Sequence, residues 1–439
     1  MSGVGIAAIG FLSMLVLIGI RMPVGLAMLT TGSAGYISIA GWPAFLSYMK
    51  TTPYFLFSNY TLSVIPLFIL MGAFAERSGL SQELFRAASA LVGHRRGGMA
   101  MAVVAACTAF GAICGSSVAT TATFGRAALP ELQRYGYAPG LSTGTIAVGG
   151  TLGILVPPSV ILVVYAIATE QNIVKLFQAA LVPGLLATFF YCLAIAWVAR
   201  RHPEQAPAHP ELEHSDRWRA VLAVWPVLLV AVVVVGGIYG GVFTPTEAAA
   251  VGAAAMLLIG LARRSLGWSG FKTSLIQTAE TTALIFIILL GAEVFNAFLA
   301  FSQLPSQAAA MIAEAGLPPY AVLAVLLAFY IVLGAVMDEL AMILLTLPVF
   351  FPIVTVLDFG LPSDEVAIWF GILVLIVVGI GLTAPPIGLN VFVIHAIAKT
   401  VPITQTYRGV LPFLATDVVR LALCTAFPVL SLYLVRLLS

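Results

Sequence analysis

Charge is what this chain has least of. Of 439 residues only 20 are Lys or Arg and 18 are Asp or Glu, 9% in all, against 61% hydrophobic. A water-soluble core cannot bury that much apolar surface, so a soluble domain is excluded and a polytopic membrane protein is required. The formal charge of +2 supplies no basic footprint for nucleic acid, and none is expected as a partner; membrane lipid is. Cysteine is scarce too: Cys107, Cys114, Cys192 and Cys424 are scattered through apolar sequence, with no disulfide framework or metal spacing. The chain also lacks a phosphate-binding P-loop and an HExxH zinc motif, and it has no pair of intramembrane aspartates in a protease-like frame. An intramembrane protease built on Ser116 and His395 is therefore a remote alternative, and the chain reads as a non-enzyme.

What is present is a succession of apolar stretches. At roughly 20 residues per crossing, spans fall near Val4–Ile20, Val24–Ala40, Leu62–Ala75, Leu141–Ala168, Leu176–Ala199, Val221–Tyr239, Ala248–Leu261, Ile276–Leu299, Val366–Ala398 and Val410–Leu434. The first lacks a basic leader and runs on into further spans, as a first transmembrane helix does and a cleaved signal does not. Basic residues stay cytoplasmic. With the amino terminus outside, sixteen of the twenty lie inside, Lys50, Lys175 and Arg436 lie outside, and Arg420 falls within the last span. The polar stretch from Arg200 to Arg219 becomes a cytoplasmic linker.

The two halves around that linker are repeats. Arg21-Met-Pro-Val answers Phe243-Thr-Pro-Thr, Phe68-Ile-Leu-Met-Gly-Ala answers Ile287-Ile-Leu-Leu-Gly-Ala, Gly111 answers Gly334, Pro157-Pro158 answers Pro385-Pro386, and Pro183 answers Pro412. The offsets are 222, 219, 223, 228 and 229. On the span count the first repeat starts outside and the second inside, which makes an inverted repeat of the kind that builds alternating-access carriers.

Each repeat contains a stretch that breaks a helix at membrane depth: GGTLGILVPP at Gly149 and GIGLTAPP at Gly379. Proline removes an amide donor and glycine weakens the ladder; in lipid such unwinding survives only where the freed carbonyls face protein, water or an ion. Each repeat also has an apolar segment with both ends on one side. Met99–Ala122 is rich in Gly, Ala, Ser and Thr and is followed by Arg126 and Arg134; Tyr320–Phe351 carries Asp338-Glu339 near its centre. Both read as re-entrant hairpins, from opposite faces. The fold class expected is thus all-α: an inverted-repeat, elevator-type membrane protein with two re-entrant hairpins and two broken helices meeting near the midplane. Residues 1–98 and 220–318 form the scaffold parts, 99–199 and 319–439 the transport parts, and 200–219 the linker.

Four segments in order, GAICGSSVATTATFG at Gly111, FTPTEAAAVGAA at Phe243, GAVMDELAMILLTLPVFFPI at Gly334 and GLTAPPIGLNVFV at Gly381, resemble the large membrane subunit of TRAP transporters, the tripartite ATP-independent periplasmic carriers. The resemblance covers essentially the whole chain. It implies a sodium-driven elevator importer of organic anions in the bacterial inner membrane, working with a small four-helix membrane subunit and a periplasmic substrate-binding protein, with no cofactor beyond sodium as coupling ion. A self-sufficient sodium-coupled anion symporter or antiporter of the same build is the nearer alternative.

Candidate residues follow from chemistry at those breaks. Ser116 and Ser117 sit at the first hairpin tip, where hydroxyls ligate a hard cation or let helices pack closely. Thr120 and Thr121 follow as candidates for substrate contact. Gly149, Gly153, Val156, Gly381, Thr383 and Ile387 would offer mainly backbone oxygens to sodium; the alanine between Thr383 and the prolines leaves open whether Thr383 or the Ala384 carbonyl is the ligand. Asp338 is read as a cation ligand, because an intramembrane carboxylate is costly without a function, with an ion pair or a helix cap as the alternative; Glu339 ranks lower. Asn390, one turn past the second break, is a candidate for substrate contact or helix packing. Thr244-Pro-Thr-Glu247 spells a capping box with proline at the first helical position, a structural cap. Arg420 is expected to pair with Asp417.

Overall fold

The computed structural model describes residues 3–208, 214–314 and 316–438, and those residues form helices joined by short turns, with no strand among them. Eight helices are long and apolar enough to cross a membrane, nine when the bent pair Pro139–Leu155 and Val160–Ala168 counts as one span. The polytopic, all-α expectation is met.

The landmarks of the repeat fall at matching structural positions. Pro23 precedes the helix Val24–Ala40, and Pro245 begins the helix Pro245–Ala262. Two hairpins follow in turn: Gly98–Cys114 with Ser117–Arg134, and Pro319–Gly334 with Glu339–Val356. The double prolines lie between Pro139–Leu155 and Val160–Ala168, and between Ser363–Gly381 and Leu389–Ile397. Pro183 and Pro412 both sit inside the next long helices, Ile173–Arg201 and Ile403–Ala426. The repeats interlock: Val24–Ala40 of the first packs along Trp268–Ser302 of the second, and Pro139–Leu155 packs on Ile403–Ala426.

Arg126 meets Glu76 at 2.7 Å and Arg263 meets Glu83, joining four residues assigned or adjacent to the basic face. At the start of the helix Ile173–Arg201, far from Arg200 and Arg201 at its end, Lys175 lies 3.9 Å from Asp364, and Arg436 lies 2.5 Å from the neighbouring Glu365. Lys175 and Arg436, both set apart from the basic face by the sequence, therefore share a side.

Several boundaries differ from expectation. The first hairpin is longer than Met99–Ala122, because its second arm runs on to Arg134. Trp42–Phe57 and Leu80–Val92 are helices too short, and in the second case too amphipathic, to read as spans. The final span divides into Ile403–Ala426 and Val429–Leu438 at Phe427-Pro428. The cap at Thr244 is as read: its hydroxyl accepts from the Glu247 amide while Glu247 accepts from the Thr244 amide at 2.8 Å.

Candidate functional site

The breaks follow from proline's missing amide. In a continuous helix the carbonyls of Gly153 and Ile154 would accept from residues 157 and 158, and those of Gly381 and Leu382 from residues 385 and 386; all four donors are prolines. Local substitutes serve one of the two breaks. Leu382 accepts from the Asn390 amide at 3.0 Å and Gly381 from the Ala384 amide at 3.3 Å. The chain between Leu155 and Val160 makes no corresponding return bond to Gly153 or Ile154 among the described residues.

Each hairpin lies on its own broken helix at a glycine crossing. A methyl added to Gly111 would stand 3.0 Å from Gly153 Cα, and one added to Gly381 would stand 2.7 Å from Gly334 Cα. Only hydrogen lets the backbones approach this closely. The second crossing is reinforced by the Gly388 amide donating to Ala335 at 3.3 Å, with Gly388 in the left-handed region at φ 57°.

Beside the breaks, one fully buried amide joins the two repeats. Asn390 Nδ2 donates to the Ala147 carbonyl at 3.0 Å and lies 2.7 Å from Ser117 Oγ, which in turn lies 2.9 Å from Asn390 Oδ1. One side chain of the second broken helix thus ties the first hairpin to the first broken helix. Ser116 caps the arm Ser117–Arg134, accepting from the Ala119 amide at 3.4 Å. Thr120 donates to the Ser116 carbonyl at 2.7 Å. Thr121 Oγ1 is buried without a partner, so close to the first broken helix that a methyl on Gly150 would fall 1.8 Å from it. Thr383 is buried and turns its hydroxyl back onto Gly379 and Ile380, at 3.2 and 3.1 Å. The Ile387 carbonyl accepts from Tyr407 at 2.6 Å. Gly149, Gly153 and Val156 are buried around the first break, Gly149 beneath Cys107.

The adjacent carboxylates part company. Asp338 is exposed and caps the helix Glu339–Val356, accepting from the Ala341 amide at 2.9 Å, so the capping alternative describes its contact here. Glu339 is 8% exposed and its Oε2 has no partner. It lines a cavity of about 120 Å³ together with Ser116 at the first tip, Glu76, and Gln277 and Thr281 of the long helix Trp268–Ser302. The cavity therefore draws on both hairpin tips and on helices outside them. Glu76, Gln277 and Thr281 carry no sequence signal of their own; only the fold brings them to the tips. Gln277 accepts from Arg77 at 3.0 Å, and Arg126 holds Glu76, so two guanidinium groups stand directly behind the wall.

Other polar groups have structural partners. Asp417 accepts from Tyr191 at 2.8 Å and lies 2.8 Å from Arg420 Nη2, close as charges though off-line as a hydrogen bond, which gives the expected pair. His395 Nδ1 lies 3.1 Å from the Val401 carbonyl, a packing role. Gly267-Trp-Ser-Gly270 fits the GxSG tetrapeptide of some intramembrane proteases, but Ser269 is an exposed first-turn residue on a different helix from His395.

Two interlocked repeats, each with a hairpin crossing a proline-broken helix and both tied at a polar centre, define a polytopic membrane carrier. Comparison with known proteins agrees. Residues 11–430 match the family described as "Tripartite ATP-independent periplasmic transporter, DctM component". The chain belongs to this family, as a large permease subunit. It is 39% identical over 379 residues to the C4-dicarboxylate TRAP transporter large permease DctM of Pseudomonas aeruginosa, covering 86% of each chain. It is 34% identical to the ectoine TRAP large permease TeaC of Halomonas elongata (85% of this chain, 86% of the relative), and 29% identical to the sialic acid TRAP large permease SiaM of Vibrio cholerae (86% and 87%). These are transport components, not enzymes. Among solved structures, the YdaH transporter of Alcanivorax borkumensis shares the fold, with a TM-score of 0.63 at 16% identity over 88% of this chain and 89% of that one.

Proposed function

We propose that this subunit imports a small organic acid across the bacterial inner membrane, amino terminus outside, driven by sodium and moving its site by an elevator motion. A periplasmic binding protein delivers the substrate, and a small four-helix subunit braces the scaffold. Relatives named for C4-dicarboxylate and sialic acid support a carboxylic acid as the substrate.

The observation that carries the reading is the pair of proline-made breaks crossed by hairpins and joined through Ser117 and Asn390. Gly153 and Ile154 lose their helical donors at the first break, and freed carbonyls of this kind are what a hard, oxygen-seeking cation takes up at membrane depth. Ser116, Ser117, Gly149, Val156, Gly381, Thr383, Ile387 and Asp338 remain the proposed contributors to cation binding, and Thr120, Thr121 and Asn390 to the substrate side. Two sodium ions with a monoanion carry one net charge inward, a gain of roughly 2.3 kcal/mol per 100 mV. Residues 99–199 with 319–439 form the proposed moving block.

The test is uptake of labelled organic acid into proteoliposomes holding this chain and its two partners. Uptake should require a sodium gradient, survive without ATP and stop when the binding protein is omitted. Transport driven equally by protons alone would refute sodium coupling, and full uptake by the single chain would favour a self-sufficient symporter.

A further inference from the structure

A groove on the outside of the helix pair Ile173–Arg201 and Ile403–Ala426 has no place in the reading above. It consists of two cavities, of 490 and 360 Å³, that share Trp197 and Pro412 as walls. The larger also reaches the start of the first broken helix at Pro139, and the helices around it are held together by the hydroxyl pair Thr143 and Thr406 at 2.9 Å.

The two cavities differ in chemistry along one line. The larger has a polar mouth formed by His202, Gln205, Gln405 and Arg408. Arg408 is exposed and makes no ion pair or hydrogen bond among the described residues. Glu204, the nearby acid, is engaged with His202 at 3.4 Å. Arg201 stands over the Trp197 ring, 5.8 Å from its centroid, and adds a second guanidinium at the rim. Arg201 and Arg408 are among the sixteen of the twenty basic residues that the charge pattern of the sequence assigns to one face. Beyond Trp197 the second cavity is lined by Leu193 and Ala415 and is nearly devoid of polar atoms. Trp197 and Leu193 are 55% and 48% exposed, which an apolar environment must cover.

An unpaired arginine at the mouth, an interfacial tryptophan at the waist and an apolar channel beyond match an anionic headgroup followed by acyl chain. Basic pockets between transmembrane helices on the positive side select anionic lipids in this way, and tryptophan favours the depth between the two regions. We infer that this groove binds one anionic phospholipid, its phosphate on Arg408 and its acyl chain along Trp197 and Leu193. The inference is independent of the transport reading, since it uses none of the residues at the two breaks.

Native mass spectrometry of the full chain purified in detergent tests it, with phosphatidylglycerol and phosphatidylcholine added separately. Phosphatidylglycerol should survive as a single retained adduct and phosphatidylcholine should not, while inorganic phosphate at equal concentration should fail to displace the adduct. Arg408→Gln should lower phosphatidylglycerol occupancy about five-fold, the weight of one basic contact at a lipid headgroup. Because Arg408 is exposed and unpaired, that variant should keep the parent melting temperature. Trp197→Ala should reduce retention of the lipid as well. Equal retention of the two lipids, displacement by phosphate alone, or unchanged occupancy in Arg408→Gln would each overturn the inference, as would cross-linking of a protein segment to position 197 in native membranes.

Discussion

Ser117 Oγ and Asn390 Nδ2 lie 2.7 Å apart although 273 residues separate them in the chain. Both side chains are fully buried, and Asn390 spends its other amide hydrogen on the Ala147 carbonyl. Replacing Asn390 by Ala leaves the buried Ser117 hydroxyl without its partner and removes the extra hydrogen bond that the Ala147 carbonyl accepts beside its helical one, at a cost of about 1–3 kcal/mol. The variant should melt measurably lower than the parent and lose most uptake. Parent-like melting with full uptake would show that the tie between repeats is dispensable.

The glycine crossings make a sharper stability test. Gly381→Ala places a methyl 2.7 Å from Gly334 Cα, where backbone must shift, and should lower the melting temperature and abolish uptake. Gly236→Ala is the control: a methyl there meets nothing within 4 Å, and removing a helix-interior glycine should stabilise by about 1 kcal/mol. Equal effects at the two positions would contradict the crossing.

Asp338→Asn separates charge from architecture. Asparagine caps a helix as well as aspartate does, so the start of Glu339–Val356 should hold and melting should barely change. The sodium concentration for half-maximal uptake should rise. Unchanged sodium dependence would remove Asp338 from cation binding. The same titration on Glu339→Gln asks whether the buried carboxylate at the cavity wall is the one that matters.

Asp417→Asn leaves Arg420 fully buried without its counter-charge, a change that costs about 3–5 kcal/mol. Thermal unfolding should register a large drop while sodium dependence of any residual uptake stays that of the parent. A shifted sodium dependence would connect this pair to the site.

How far the sequence could be read varied with the range of the interaction. The breaks, both hairpins and the cap at Thr244 were legible because each rests on residues within a few positions: double prolines, glycine clusters, and a Thr to Glu spacing of three. Trp42–Phe57 and Leu80–Val92 escaped because a 20-residue apolar window passes over short helices. Asp338 against Glu339 was harder. Neighbouring positions on a helix point in different directions, and only packing decides which carboxylate is buried. The Ser117–Asn390 bond and the approach of Gln277 to the hairpin tips join distant segments, and no local pattern announces them.

The elevator motion is the central claim, and the two hairpin tips report on it most directly. Ser116 and Leu340 line one cavity from opposite repeats and both are partly accessible. Single cysteines at these positions, in a background lacking Cys107, Cys114, Cys192 and Cys424, can be labelled from either side with and without sodium and substrate. A rigid moving block predicts that labelling of both positions shifts together and in the same sense between the two faces. A response at one tip while the other stays fixed would mean local gating and would contradict the account.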